Sequence, residues 1–184
     1  MSGFRRTGER TVHQGHIWKV VVADFEAPDG EPFVRDVVRS PGAVGVVPLI
    51  VGDDGTESVV LVRQYRPSIE QEVWEIPAGM RDVPDEPPEQ TGRRELIEEV
   101  GYESGSMTLL TSMHPSAGMT DSTTHVYLAT ELRQVERSVQ GPEEAASIVG
   151  IFTLSQVMAM IDSGEMTDAK SIIGLLMTER RLRS

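Results

Sequence analysis

The stretch Gly79-Met80-Arg81-Asp82-Val83-Pro84-Asp85-Glu86-Pro87-Pro88-Glu89-Gln90-Thr91-Gly92-Arg93-Arg94-Glu95-Leu96-Ile97-Glu98-Glu99-Val100-Gly101-Tyr102 decides the fold. Its glycine follows a short strand-like run, Val73 to Ile76. Pro87 and Pro88 suit the first turn of a helix, where a missing N–H leaves no bond unmade. The spacing predicts that helix as far as about Val100, with Gly101 as its stop. On it Glu95, Glu98 and Glu99 stand at i, i+3 and i+4, so they project from one face. Leu96, Ile97 and Val100 give an apolar side that packs on a core. Carboxylates clustered on a short rigid helix suit hard divalent cations, which prefer oxygen ligands. An E-x-x-E-E face by itself is ordinarily a solvated surface. Arg94 and Glu98 at i, i+4 are ordinarily a surface ion pair, contributing about 0.3–0.5 kcal/mol. The strand, Gly79 and the acid ahead of the helix distinguish this stretch.

Outward from it, the chain alternates strand and turn signals. Residues 1–14 are polar and read as loose or partner-dependent. Ile17 to Phe25 and Phe33 to Val38 read as strands joined at Asp29-Gly30, a hairpin. Val44 to Val51 and Ser58 to Tyr65 are valine-rich strands separated by Asp53-Asp54-Gly55. Thr108 to Ser112, Thr124 to Ala129 and Ala146 to Phe152 read as further strands. Ser155 to Asp162 and Asp168 to Arg180 read as helices, with Met158 and Met160 as core filler. Strands around a central helix, with more helix at the end, predict an α/β/α sandwich with a mixed β-sheet. Residues 1–42 read as an N-terminal β-rich segment and residues 43–184 as the main domain.

The chain has 184 residues, enough for one sizeable core, with 39% hydrophobic and 25% charged residues. A formal net charge of −12 argues against nucleic acid and anionic membranes as partners. It leaves room for a small phosphate substrate, because bound cations and local arginines reverse the field in one cleft. With no cysteine, disulfides, thiolate chemistry and Cys-ligated zinc are excluded. No apolar run approaches a membrane span, and Arg5, Arg6 and Arg10 are followed by no apolar leader segment. The expected location is therefore cytoplasmic.

The stretch closely resembles the Nudix box: a glycine, an acid, then R-E-apolar-x-E-E-x-G-apolar. Arg94, Glu95, Leu96, Glu98, Glu99, Gly101 and Tyr102 match its second half. The first half is one residue longer than the usual pattern, with six residues, Met80 to Asp85, between Gly79 and Glu86. Asp85 or Glu86 fills the acidic position; Glu86 is favoured because its gap to Arg94 is the expected one and a loop insertion is cheap. Val60 to Arg66, Trp74 to Gly79, Val34 to Val38 and Pro41 to Val44 resemble the ADP-ribose pyrophosphatase branch. His114 to Ser122 resembles that branch's recognition loop, with Ala117 and Ser122 departing from its proline and acid. Pro142-Glu143-Glu144-Ala145 resembles its late acidic loop.

The resemblance implies a Nudix fold with an N-terminal antiparallel sheet and a homodimer formed through it. It implies Mg²⁺, with Mn²⁺ substituting, held by Glu95, Glu98, Glu99 and the Ala78 carbonyl. Glu98 and one of Glu143 and Glu144 are the expected catalytic carboxylates, the latter acting on the attacking water. Gly79, Glu86, Arg94 and Gly101 are expected to be structural. Arg35 and Arg66 are candidates for phosphate or base contacts, since a guanidinium does both. Glu75, Gly118 and Met119 complete the expected substrate site. Trp18 and Trp74 read as packing residues before base-stacking ones. The expected activity is Mg²⁺-dependent cleavage of ADP-ribose to AMP and ribose 5-phosphate. The alternatives are another nucleotide substrate and a non-hydrolysing ADP-ribose sensor.

Overall fold

A computed structural model describes residues 3–184, with the side chains of Pro142 and Glu143 outside the description. The chain divides into two compact units, one holding the described residues up to Gly42 with His114–Thr123, the other Ala43–Met113 with Thr124–Ser184.

The first unit is a three-stranded antiparallel sheet in the order β1-β2-β3: β1 (Arg5–Gln14), β2 (Lys19–Glu26) and β3 (Pro32–Arg39). Asp29-Gly30 makes the expected β2–β3 turn, with Gly30 N donating to the Ala27 carbonyl at 2.9 Å and Gly30 in the left-handed region at φ 89°. The expectation that residues 1–14 are loose or partner-dependent is corrected for residues 5–14, which form β1; residues 1 and 2 lie outside the described residues. Nearly every residue of β1 is exposed, so its sequence has no apolar period to read. Backbone pairing and ion pairs hold it instead: Arg5 with Glu26 at 3.0 Å, and Arg39 with Glu9 at 2.6 Å. The segment 114–123 is tied to β3, with Val38 N donating to the Met119 carbonyl and Ser40 N to Asp121 Oδ1.

The second unit is a mixed sheet in the order β10-β5-β4-β9-β8, with β6 paired to β5 and β7 paired to β4. The elements are β4 (Ala43–Val51), β5 (Glu57–Arg66), β6 (Gln71–Glu75), β7 (Ala78–Met80), α1 (Pro88–Val100), β8 (Tyr102–Met113), β9 (Thr124–Gln134), α2 (Gly141–Ala146), β10 (Ile148–Thr153), α3 (Leu154–Ser163) and α4 (Ala169–Leu182). The β4–β9 pair is parallel and the others are antiparallel. The sheet separates two cores by the period-2 alternation of its strands. Val44, Val46, Val60 and Val62 pack with Leu96 and Val100 of α1. Val47, Leu49, Val59 and Leu61 pack with Leu154 and Val157 of α3 and Leu175 of α4. Each such fully buried side chain stabilises the fold by about 1.5–3 kcal/mol relative to exposure. This is the α/β/α sandwich.

Two local features place the site. β4 is central yet contains Pro48, which lies where its antiparallel partner changes from β7 (Ala43–Gly45) to β5 (Leu49–Val51). The missing N–H therefore costs the ladder nothing. Helix α1 approaches the sheet closely at Gly92, where a Cβ would meet Val46 and Val44 methyls at 3.0 and 3.1 Å.

Elsewhere the structure extends the sequence reading. β8 begins at Tyr102 and β9 ends at Gln134, beyond the apolar segments that mark them, and polar pairs such as Arg133–Glu103 line the extensions. The late acidic loop contains a short helix, α2. No helix among the described residues is long and apolar enough to cross a membrane.

Candidate metal and active site

The site is built where β7 meets α1. β7 pairs with the start of β4, Val44 opposite Gly79 and Gly45 opposite Ala78. Helix α1 then lays its carboxylate face across this backbone. A Cβ on Gly79 would stand 2.0 Å from Glu95 Oε1, so glycine is required for the helix to approach. Ala78 N donates to Glu99 Oε2 at 2.8 Å. Gly101 ends α1 in the left-handed conformation at φ 73°, its N–H returning to the Ile97 and Leu96 carbonyls.

Arg94 organises the acids from the same helix. Its Nη1 donates to Glu95 Oε1 at 2.7 Å and to Glu98 Oε2 at 2.9 Å. Its Nη2 reaches Glu86 Oε2 at 3.4 Å. Glu86 also accepts from Thr91 Oγ1 at 2.8 Å. Asp85, the alternative to Glu86, sits in the left-handed region at φ 62°, within the one-residue-longer loop.

The electrostatics are unbalanced. Glu95 is 6% exposed and its carboxyl is pushed up to about 7, first by burial and then by neighbouring Glu98 and Glu144, against the pull of Arg94. Glu99 is 4% exposed and pushed up to about 8, by burial first and by Glu95 and Glu144, with the Ala78 N–H and the Lys170 charge opposing. A cation bound beside such groups favours their charged form. Among the described residues no three acidic or histidine side chains converge as ligands on one point, because Arg94 draws Glu95 and Glu98 and Ala78 N draws Glu99. The all-oxygen donor set and its surplus of buried negative charge fit a hard divalent cation.

These carboxylates line a cavity of ≈ 540 Å³ with Gln64, Arg66, Ala78, Gly79 and Glu144. Arg66 is held by Glu75, Nε to Oε1 at 2.6 Å and Nη2 to Oε2 at 2.7 Å. Glu75 is only 1% exposed, and Lys170 also pairs with its Oε2. Burial raises its pKa, but Arg66 and Lys170 outweigh that and hold it below the ordinary carboxylate value. Glu144 Oε2 accepts from Gln140 N at 2.5 Å. The Glu143 side chain lies outside the described residues.

The remaining candidates belong to other places. Arg35, Gly118 and Met119 lie in the first unit. The Arg35 guanidinium stands 4.9 Å over the Phe33 ring, and its Nη1 donates to the Val34 carbonyl. Gly118 is open, with nothing within 4 Å of a built Cβ. Met119 is exposed. Trp74 packs edge-on to Phe152 against the core, while Trp18 is 54% exposed. Sequence reasoning missed Gln64, Lys170 and Gln140. Gln64 was detectable, since it precedes Arg66 by two on one strand and shares its face. Lys170 was not, because it meets Glu75 from 95 residues away.

Comparison with known proteins agrees with this geometry. Residues 39–173 match the family model of the NUDIX domain. An ADP-ribose pyrophosphatase of Mycobacterium tuberculosis is 34% identical over 173 residues, covering 94% of this chain and 82% of that protein. One of Bacillus subtilis is 36% identical over 160 residues, covering 87% and 84%. A crystal structure of an ADP compounds hydrolase superposes with a TM-score of 0.82 at 21% identity, covering 98% of this chain and 94% of that one, which shows the shared fold. With the box helix, its glycine and its carboxylates in one cavity, the chain belongs to the Nudix family.

Proposed function

We propose that the chain is a Mg²⁺-dependent pyrophosphohydrolase of nucleoside diphosphate sugars, with ADP-ribose the best single substrate, giving AMP and ribose 5-phosphate. The carrying observation is the pair of buried, under-compensated carboxylates, Glu95 and Glu99, beside Arg66 in one cavity. The two relatives named as ADP-ribose pyrophosphatases support the choice of substrate.

Glu95, Glu98, Glu99 and the Ala78 carbonyl would hold the cation. When bound, it neutralises phosphate oxygens and eases deprotonation of water. Arg66 has Nε and Nη2 committed to Glu75. That leaves Nη1 for a phosphate oxygen, in a fixed orientation. Glu144 borders the cavity, and Glu143 or Glu144 takes the proton from the attacking water. The water oxygen bonds to phosphorus, the bridging P–O bond breaks and the two monophosphates leave. For Arg35, Gly118 and Met119 the substrate-binding role rests on the resemblance. A homodimer through the N-terminal sheet and a cytoplasmic location belong to the same reading. Exposed Val34 on β3, with exposed Phe4 and Trp18 flanking the strands, supports the dimer.

The test is product release from ADP-ribose, ADP-glucose, GDP-mannose, NADH, diadenosine polyphosphates and 8-oxo-dGTP, with Mg²⁺, Mn²⁺ and EDTA. An EDTA-sensitive preference for ADP-ribose is expected. Preference for another compound would assign Ala117 and Ser122 to specificity. Tight ADP-ribose binding without turnover would make the protein a sensor.

A further inference from the structure

Arg66 is backed by a polar network whose deeper members have no part of their own in the cleavage reaction. Glu75 is the most buried charged residue of the chain's described core, and it meets two cations. Arg66 comes from the end of β5 and is 40% exposed; Lys170 comes from the first turn of α4 and is 14% exposed. Both reach Glu75 Oε2. Lys170 is itself fixed by Asp168, Nζ to Oδ2 at 3.0 Å. Asp168 caps α4, accepting from Ser171 N at 2.9 Å and from Ser171 Oγ at 2.5 Å. Ser171 Oγ in turn accepts from Ile76 N at 2.8 Å, fixing the backbone two residues before Ala78. The start of α4 thus grips both the strand end that carries Glu75 and the side chain of Glu75.

We infer that Lys170 is a positioning residue that acts through Glu75 to hold the Arg66 guanidinium in its substrate-facing orientation. Arg66 pairs with Glu75 side-on, through Nε and Nη2, and that fork sets where the remaining edge points. A buried carboxylate shared by two donors has one orientation. With Lys170 removed, Oε2 of the buried Glu75 loses a charge-assisted bond, and Glu75 and Arg66 rearrange together. Of the charges on this cluster, Asp168 opposes Lys170 and Glu75 opposes Arg66, so the network is close to neutral. The role assigned to Lys170 is geometric, a fixed guanidinium; its charge also draws on Glu99, and Lys170→Arg keeps that charge. The inference rests on the proposed contact between Arg66 and a substrate phosphate.

The test is a double-mutant cycle on the full chain with Mg²⁺ and ADP-ribose. Lys170→Met is expected to lower kcat/KM about tenfold, mostly through KM, while in an Arg66→Ala background it changes kcat/KM by less than about twofold. Lys170→Arg should restore most of the loss. If Lys170→Met does not fold, Lys170→Gln is carried through the same cycle. Equal losses in both backgrounds, or no loss in either, would overturn the inference. Arg66→Ala without any loss of its own would instead remove the contact on which the inference rests.

Discussion

Glu75 and Glu99 are both almost fully buried, 1% and 4% exposed, yet their chemistry is opposite. Glu75 is held below the ordinary carboxylate range and Glu99 is pushed up to about 8. Burial opposes the charge of both. The difference is in partners: Glu75 is bonded to both Arg66 and Lys170, whereas among the described residues Glu99 accepts one backbone N–H, from Ala78, and feels the Lys170 charge without bonding to it. One region is a completed ion network with a structural task. The other is a set of anions that the protein leaves short of positive charge, which is how a cation site differs from a salt bridge.

The comparison breaks first at Glu99. Glu99→Gln should lower kcat by at least about 10²-fold, since several kcal/mol of metal-mediated stabilisation are lost. The folded protein should survive, because a neutral amide replaces a costly buried charge. Near-normal turnover by steady-state assay of the folded variant would remove Glu99 from the ligand set. Glutamine at Glu143 and at Glu144, tested separately, should give one strong and one weak loss of kcat. Two weak losses would move the proton acceptor elsewhere.

Much of the second region was legible in sequence, and little of the first. The carboxylate face follows from helical periodicity within five residues, Glu95 to Glu99, and Gly79 marks the close approach beside it. The sandwich followed from valine-rich strands whose alternation survives in β4 and β5. The Glu75 network had no such signal. Its members, Arg66, Glu75, Asp168 and Lys170, lie on three elements and only topology joins them. β1 escaped for a related reason: a strand exposed on both faces pairs through its backbone, and backbone pairing leaves no residue pattern.

The next effect falls on stability. Glu75→Gln removes the carboxylate that two cations share, leaving Lys170 with Asp168 alone. Breaking a buried pair costs about 3–5 kcal/mol. Arg66 is 40% exposed and can rehydrate, so the loss expected here is nearer ~2 kcal/mol. Urea denaturation would measure it, and a loss no larger than that of Glu99→Gln would erase the distinction between the two regions.

The smallest effect is the most diagnostic, because it depends on sign. Glu95 and Glu99 have folded-state values of about 7 and about 8 against an ordinary 4.5. Between those values the folded state binds more protons than the unfolded, so stability falls as pH rises from about 4.5 to about 8. Glu75 acts the other way: its folded value is depressed, so its contribution is present above about 4.5 and is lost as pH falls below that. In EDTA the melting temperature should therefore decline by a few degrees from pH 5 to pH 8. Glu99→Gln should flatten that slope, and millimolar Mg²⁺ should reverse it at pH 8, where the carboxylates are free to bind it. A slope that Glu99→Gln leaves unchanged would assign it to the general repulsion of a chain with net charge −12. Since that repulsion acts on the variant almost equally, only the difference between the two slopes reports on the site.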